Sequence, residues 1–227
     1  MAGQVLVDEQ KVVKAGARVD SGAPIRLLSV PGPYVSRGGV KLAHALDVFA
    51  IDVAGQECLD LGSSTGGFTD CLLQRGAARV WCVDVGRGQL HWRIRSDPRV
   101  TVLEGCNARH LDAADFPGAA FGRVVMDLSF ISLRLILPPL KDLLSRCGTG
   151  TTEVVALVKP QFEAGPQDVG KGGIVRSGAV RERVLEEVVA AAAAAGFEVC
   201  GRTTSPIAGA DGNVEYLLHL RHSRSLP

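Results

Sequence analysis

From Glu57 onward, short runs rich in β-branched residues alternate with longer segments of helical period, and no other feature of this chain restricts its fold as strongly. Strands buried on both sides read as near-continuous apolar runs, so the alternation predicts a parallel sheet covered by helices on both faces. Strands are expected at 57–61 (ECLDL), 79–85 (RVWCVDV), 100–104 (VTVLE), 123–128 (RVVMDL), 153–158 (EVVALV), 197–202 (FEVCGR) and 213–220 (NVEYLLHL). Helices are expected at 66–75, near 88–95, at 131–146 and at 178–195, the last with Ser177 as N-cap and Gly196 as its stop. Upstream, residues 36–49 place Val40, Leu42, Ala43, Leu46 and Phe49 at mostly helical spacing, as a helix packed on the sheet would. The fold class is α/β: a seven-stranded, mostly parallel sheet with helices on both faces, plus a small β-rich N-terminal fragment. That fragment, residues 1–30, alternates apolar and polar residues, is broken by glycines and is too short for a core of its own. Pro31-Gly32-Pro33 reads as the linker that follows it.

Charge is nearly balanced, with Lys+Arg 25 against Asp+Glu 24, so any basic surface has to be local. Six cysteines (Cys58, Cys71, Cys82, Cys106, Cys147, Cys200) contain no C-x-x-C pair and mostly sit in apolar runs, which suits a reducing cytoplasm. No signal segment opens the chain and no apolar run reaches about 18 residues, so neither secretion nor membrane spanning is expected. The five histidines show no metal-ligand spacing, and no metal is assigned.

Residues Asp60 to Phe68 read DLGSSTGGF: a strand end, a tight glycine turn and an immediate helix. This is the first βα turn of a nucleotide-type sheet, where glycines let the backbone approach a ligand. The spacing G-x-x-x-G-G departs from the dinucleotide fingerprint G-x-G-x-x-G, so pyrophosphate geometry is not matched. Asp84, ending the second strand, stands where an acid accepts hydrogen bonds from ribose hydroxyls. A ribose is therefore expected, the alternative being a merely structural strand–helix turn. The segment GPQDVGKG (165–172) falls one residue short of a phosphate loop, lacking the Ser or Thr that contacts Mg²⁺, and reads instead as a mobile loop facing substrate.

Eight motifs then carry a resemblance: YVSRGGVKL (34–42), DLGSSTGGFTDCLL (60–73), VDVGRGQL (83–90), DPRV (97–100), MDLSFISL (126–133), LVKPQFE (157–163), GKGGIV (170–175) and GNVEYLL (212–218). In this order they resemble the haemolysin A or TlyA family, ribosomal RNA 2′-O-methyltransferases related to the FtsJ-like (RrmJ-like) enzymes. The resemblance implies a Rossmann-like methyltransferase domain over 34–222 and S-adenosylmethionine as cofactor. It also implies that residues 1–30 correspond to the β-rich C-terminal half of a ribosomal-protein-type RNA-binding domain, truncated of its leading helices.

Carried over motif by motif, the resemblance implies a catalytic group of Lys41, Asp127, Lys159 and Glu215. Cofactor contacts are implied at Asp60, Gly62, Ser63, Thr65, Gly66, Gly67, Phe68 and Asp127, with Asp84 on the ribose and Asn107 either on the adenine or capping its own loop. A ribose hydroxyl is a poor nucleophile that must be aligned and lose a proton. Lys159 serves either as general base, which requires a neutral amine favoured by burial and by Lys41, or as a group that only orients the hydroxyl. Arg87, Arg93, Arg95 and Arg99 around Trp92 suit phosphates and a stacked base, or form a solvated helix face. With Arg37, Lys171 and Arg176 they would make a basic rim for ribosomal RNA or ribosomal subunits. Three other functions compete: a base N-methyltransferase, since Asp127-Leu-Ser-Phe130 partly resembles D-P-P-Y; a cofactor-binding ribosome-assembly factor; and a membrane-damaging protein. The paired prolines of the first are missing, and no strongly amphipathic basic helix supports the last.

Overall fold

The computed structural model describes residues 5–12, 17–27, 32–209 and 212–224. The chain divides into two units, residues 1–33 and 34–227; Pro31 of the expected linker lies outside the described residues.

The first unit is a three-stranded antiparallel sheet in the order β2-β1-β3, from β1 (Val5–Val7), β2 (Gln10–Val12) and β3 (Ile25–Leu27). Val7 pairs with Gln10, so Asp8 and Glu9 alone form the hairpin turn, both with positive φ (50° and 62°). Two successive positive φ values define the type I′ turn, whose twist matches that of the strands.

The second unit begins with α1 (Gly38–Val48), followed by β4 (Glu57–Leu61), α2 (Gly67–Gln74), β5 (Arg79–Asp84), the single-turn α3 (Trp92–Arg95), β6 (Val100–Glu104) and β7 (Phe121–Met126). It continues with α4 (Leu137–Cys147), β8 (Gly148–Val158), the short α5 (Pro160–Glu163), α6 (Gly178–Ala194), β9 (Glu198–Thr204) and β10 (Tyr216–Ser223). The sheet order is β6-β5-β4-β7-β8-β10-β9, with β10 antiparallel to both neighbours and the pairs from β6 to β8 parallel. Strand order reverses between β4 and β7, which makes their carboxyl ends the crevice where such sheets bind ligands.

Both faces are buried. Leu59, Leu61, Val124, Met126, Val154, Ala156, Leu218 and Leu220 pack with α4 and α6. Cys58, Val125, Val155, Leu157 and Leu217 pack on the other side with α1 and α2. Successive strand residues thus serve opposite layers, and the runs read as continuously apolar. Ser177 caps α6 by accepting from Val180 N–H, and Gly196 ends it at φ +91°.

Several expected boundaries move. Residues 131–136 are not α-helical: a 3₁₀ turn at Leu133–Leu135 precedes α4, whose first turn holds Pro138 and Pro139. Proline has no N–H and is accepted only where a helix needs none, so the pair marks a start rather than an interior. β10 begins at Tyr216 rather than 213, because the side chain of Asn213 is spent on a loop: its amide donates to Gly173 O and its carbonyl accepts from Val175 N–H. Those bonds, with the Gly170–Ile174 bridge and the Arg183–Asp168 ion pair, tether the segment read as mobile from the sequence. Among the described residues no helix is long and apolar enough to cross a membrane.

Candidate active site

The turn between β4 and α2 passes close under the end of β7. Gly62 takes φ +86°, and a Cβ there would stand 2.6 Å from the carbonyl oxygen of Asp127, so only glycine lets the two strand ends approach this closely. The amides of Gly62 and Ser63 donate to Val83 O, and the Ser64 amide donates to Asp84 Oδ2 at 2.8 Å. Gly86 N–H donates to Asp84 Oδ1 at 2.7 Å, so this carboxylate ties together the loops after β4 and β5. Between them opens a cavity of about 500 Å³, within the usual range for small-molecule sites.

Of the expected cofactor residues, Gly62, Asp84, Asn107 and Asp127 line this cavity. Asn107 also caps a 3₁₀ turn, its carbonyl accepting from Arg109 N–H. Ser63 and Thr65 are absent from the lining. Gly66, Gly67 and Phe68 lie elsewhere for a packing reason: a Cβ on Gly66 would meet Leu90, one on Gly67 would meet Ser36 Oγ, and buried Phe68 packs against Gly38. The second and third glycines thus seat α2 against its neighbours. Ser64, Gln89, Cys106, Ser129 and Phe130 also line the cavity, none of them among the expected cofactor contacts. Phe130 is 91% exposed, has φ +63° and packs on Phe162 with ring centroids 5.0 Å apart. A bulky residue in that backbone region is a costly conformation that marks functional loops.

Asp60 is not among the residues lining the cavity; it is fully buried and faces α2. One oxygen accepts from Thr69 Oγ1 at 2.6 Å; the other has no hydrogen-bond partner among the described residues. Burial pushes its carboxyl up to about 7, opposed by the Thr69 hydrogen bond and reinforced by the charge of Asp127. A carboxyl raised in the folded state favours folding fully at low pH and loses that contribution as pH rises toward 7. Asp60→Asn is expected to flatten this decline, so its stability advantage over the parent should grow between pH 5 and pH 8 in urea titrations, at about constant m.

The four implied catalytic residues form two ion pairs. Lys41 on α1 and Glu215, just before β10, are both buried (7% and 3% exposed), with Nζ 2.5 Å from Oε2. Lys159, directly after β8, lies 2.7 Å from Asp127 Oδ1, an ion pair without hydrogen-bond alignment, and donates to Ser129 Oγ at 2.8 Å. Tyr216 faces Val158 across the β8–β10 ladder, so Glu215 stands one step beyond, opposite Lys159. The sheet therefore places Asp127, Lys159 and Glu215 at one edge, and α1 brings Lys41 to Glu215. Glu163, buried on α5, accepts from Ser132 Oγ (2.5 Å) and Leu133 N–H (2.7 Å), joining the segment after Lys159 to the segment after Asp127. Burial raises its carboxyl as well.

The basic residues divide. Arg37, Arg87, Arg93, Lys171 and Arg176 are exposed. Arg95 pairs with Glu104, and Arg99 is occupied by Asp97 at 2.8 Å and by the Leu73 carbonyl, which makes Arg99 a structural residue. Trp92 is largely exposed beside them.

S-adenosylmethionine carries a sulfonium and an ammonium, and this site suits that charge. Asp84 and Asp127 line the cavity, Asp127 with Lys159 as its ion-pair partner, and no Lys or Arg is among the lining residues described. The cavity thus opens at the switch point of an open α/β sheet, where such sheets bind their ligands, with a lysine–carboxylate pair beside it. The model of the FtsJ-like methyltransferases matches residues 34–222, and the chain belongs to that family. It is 48% identical over 224 residues to the 16S/23S rRNA (cytidine-2′-O)-methyltransferase TlyA of Mycobacterium tuberculosis, covering 97% of this chain and 81% of that one. Hemolysin A of Brachyspira hyodysenteriae is 41% identical over 219 residues, covering 96% and 89%. A solved structure from Streptococcus thermophilus superposes with a TM-score of 0.82 at 44% identity, covering 100% of this chain and 81% of that chain.

Proposed function

We propose that this protein methylates the 2′-hydroxyl of a ribose in ribosomal RNA, with S-adenosylmethionine as methyl donor, in the cytoplasm. The observation that carries the reading is the Lys159–Asp127 pair at the edge of an acid-lined cavity. When bound, the cofactor supplies a methyl group made electrophilic by its sulfonium. Asp84 and Asp127 would hold it through its ribose and its positive charge. Asp127 and Ser129 fix the Lys159 side chain from two sides, and so held it can orient a hydroxyl; to take that hydroxyl's proton as the oxygen attacks, Lys159 must first release its own proton to solvent. Glu215, just before the neighbouring strand β10, and its partner Lys41 on α1 would back this arrangement.

Exposed Phe130, propped on half-buried Phe162 beside the cavity, would offer an aromatic face to the base of an unstacked target nucleotide. Base–aromatic stacking contributes about 1–3 kcal/mol, so Phe130→Ala should raise KM for RNA by roughly tenfold; because Phe130 also lines the cavity, fluorescence titration of the cofactor separates that share from the loss of stacking. Residues 1–30 would add contacts to RNA, along with Arg37, Arg87, Arg93, Lys171 and Arg176.

The test is methyl transfer from labelled S-adenosylmethionine to purified ribosomal subunits, run beside leakage of dye from liposomes. Label incorporated into RNA without leakage is the expected outcome. Leakage without label would favour the membrane-active reading.

A further inference from the structure

About six residues before Lys159 on β8, roughly 20 Å down the strand, Glu153 meets His219 of β10 and Cys200 of β9, on the α1 side of the sheet. One ligand atom from each lies within 4.8 Å of the other two. His219 Nε2 and Glu153 Oε2 are 2.6 Å apart, and the imidazole is held flat against Phe49 with centroids at 5.1 Å. Arg221 Nε donates to the other carboxylate oxygen, Oε1, at 3.0 Å, which leaves Oε2 facing the cluster.

Cys200 arrives there through an irregularity of the ladder. His219 pairs with Gly201 and Leu220 with Val199, so Cys200 is the extra residue of a β-bulge. Bulges re-aim side chains. Here the exposed thiol is brought toward two neighbours that are mostly buried, and its other contact is a weak one to Glu198 O at 3.8 Å.

We propose that Glu153, Cys200 and His219 form a zinc site, with water completing a tetrahedron. Sulfur, imidazole and carboxylate are the ligand types zinc accepts. Bonds of about 2.0–2.3 Å place ligand atoms roughly 3.3–3.7 Å apart, so the exposed Cys200 side chain closes by about 1 Å while the His219–Glu153 contact opens to admit the ion. Zinc replaces whatever proton lies between Nε2 and Oε2 and the proton of the thiol, both released to solvent. Arg221 remains on Oε1 as the outer partner that orients the carboxylate. Bound this way, the ion staples the edge strand β9 to β10 and β8. The sequence conceals the site because its ligands are far apart along the chain and only the bulge aligns the third.

The test is zinc titration of the whole protein by calorimetry in reducing buffer, repeated with cobalt for its thiolate charge-transfer band. One saturable zinc site and a cobalt–thiolate band are expected. Cys200→Ser should abolish the band and weaken binding by more than about 100-fold, beyond the effect of losing an outer partner, whereas Arg221→Gln should weaken it about tenfold. Cys106→Ser should change neither, and circular dichroism should show both cysteine variants folded. Absence of saturable binding by the parent, or a band that survives Cys200→Ser, overturns the proposal. Methyl transfer should be unaffected by Cys200→Ser, so this inference and the proposed function fail independently.

Discussion

Lys159→Ala should lower methyl transfer by about 10²- to 10⁴-fold while S-adenosylmethionine binds within about twofold of the parent, measured by single-turnover transfer and by calorimetry. The separation follows from the geometry. Lys159 points its amine at Asp127 and Ser129 on the rim, and it is not among the residues lining the cavity. Lys159→Arg discriminates between its two roles. A guanidinium keeps the positive charge and the hydrogen-bond donors but cannot accept a proton at working pH. If Lys159 only orients the hydroxyl, the arginine enzyme keeps a substantial rate; if it takes the proton, the arginine enzyme is as slow as the alanine enzyme. Loss of cofactor binding in Lys159→Ala would instead make the residue part of the pocket.

Glu215→Ala should destabilise the fold by about 3–5 kcal/mol, because it strands the ammonium of Lys41 in a site only 7% exposed. Denaturant titration measures this directly. Replacing both partners with apolar residues of similar size, Lys41→Met with Glu215→Leu, should recover most of the loss, since a buried pair contributes little net stability once its desolvation is counted. The pair's catalytic share is read from that double variant: a stable protein with transfer still reduced assigns the pair to the chemistry. A stable and fully active double variant would leave Lys41 and Glu215 as structural residues only. Glu215→Ala alone cannot separate these, which is why both constructions are needed.

Much of this site was legible in the sequence because its residues sit at strand ends. The alternation after Glu57 placed Asp60, Asp84, Asp127 and Lys159 at or next to the carboxyl ends of parallel strands, and sheet topology does the rest. What stayed hidden depends on packing between elements. Gly66 and Gly67 look like ligand-contacting glycines from their spacing, yet their missing Cβ atoms make room for Leu90 and Ser36. Arg99, read as either a phosphate contact or part of a solvated helix face, is held by Asp97 and the Leu73 carbonyl. Phe130 enters from sequence only through the partial likeness of Asp127-Leu-Ser-Phe130 to D-P-P-Y; its exposure and positive φ belong to the conformation of the loop after β7. Asn213 and Glu163 bond to segments 30 or more residues away, a separation that periodicity cannot detect.

The most direct test of the central claim is where the methyl group lands. Ribosomal RNA methylated by this protein should be digested to nucleosides and resolved by mass spectrometry, alongside alkaline hydrolysis of the intact product. The lysine–carboxylate rim predicts a 2′-O-methylated ribose and a phosphodiester that resists alkali at that nucleotide. A methyl group on a base nitrogen or carbon, with every bond still cleaved, would contradict it.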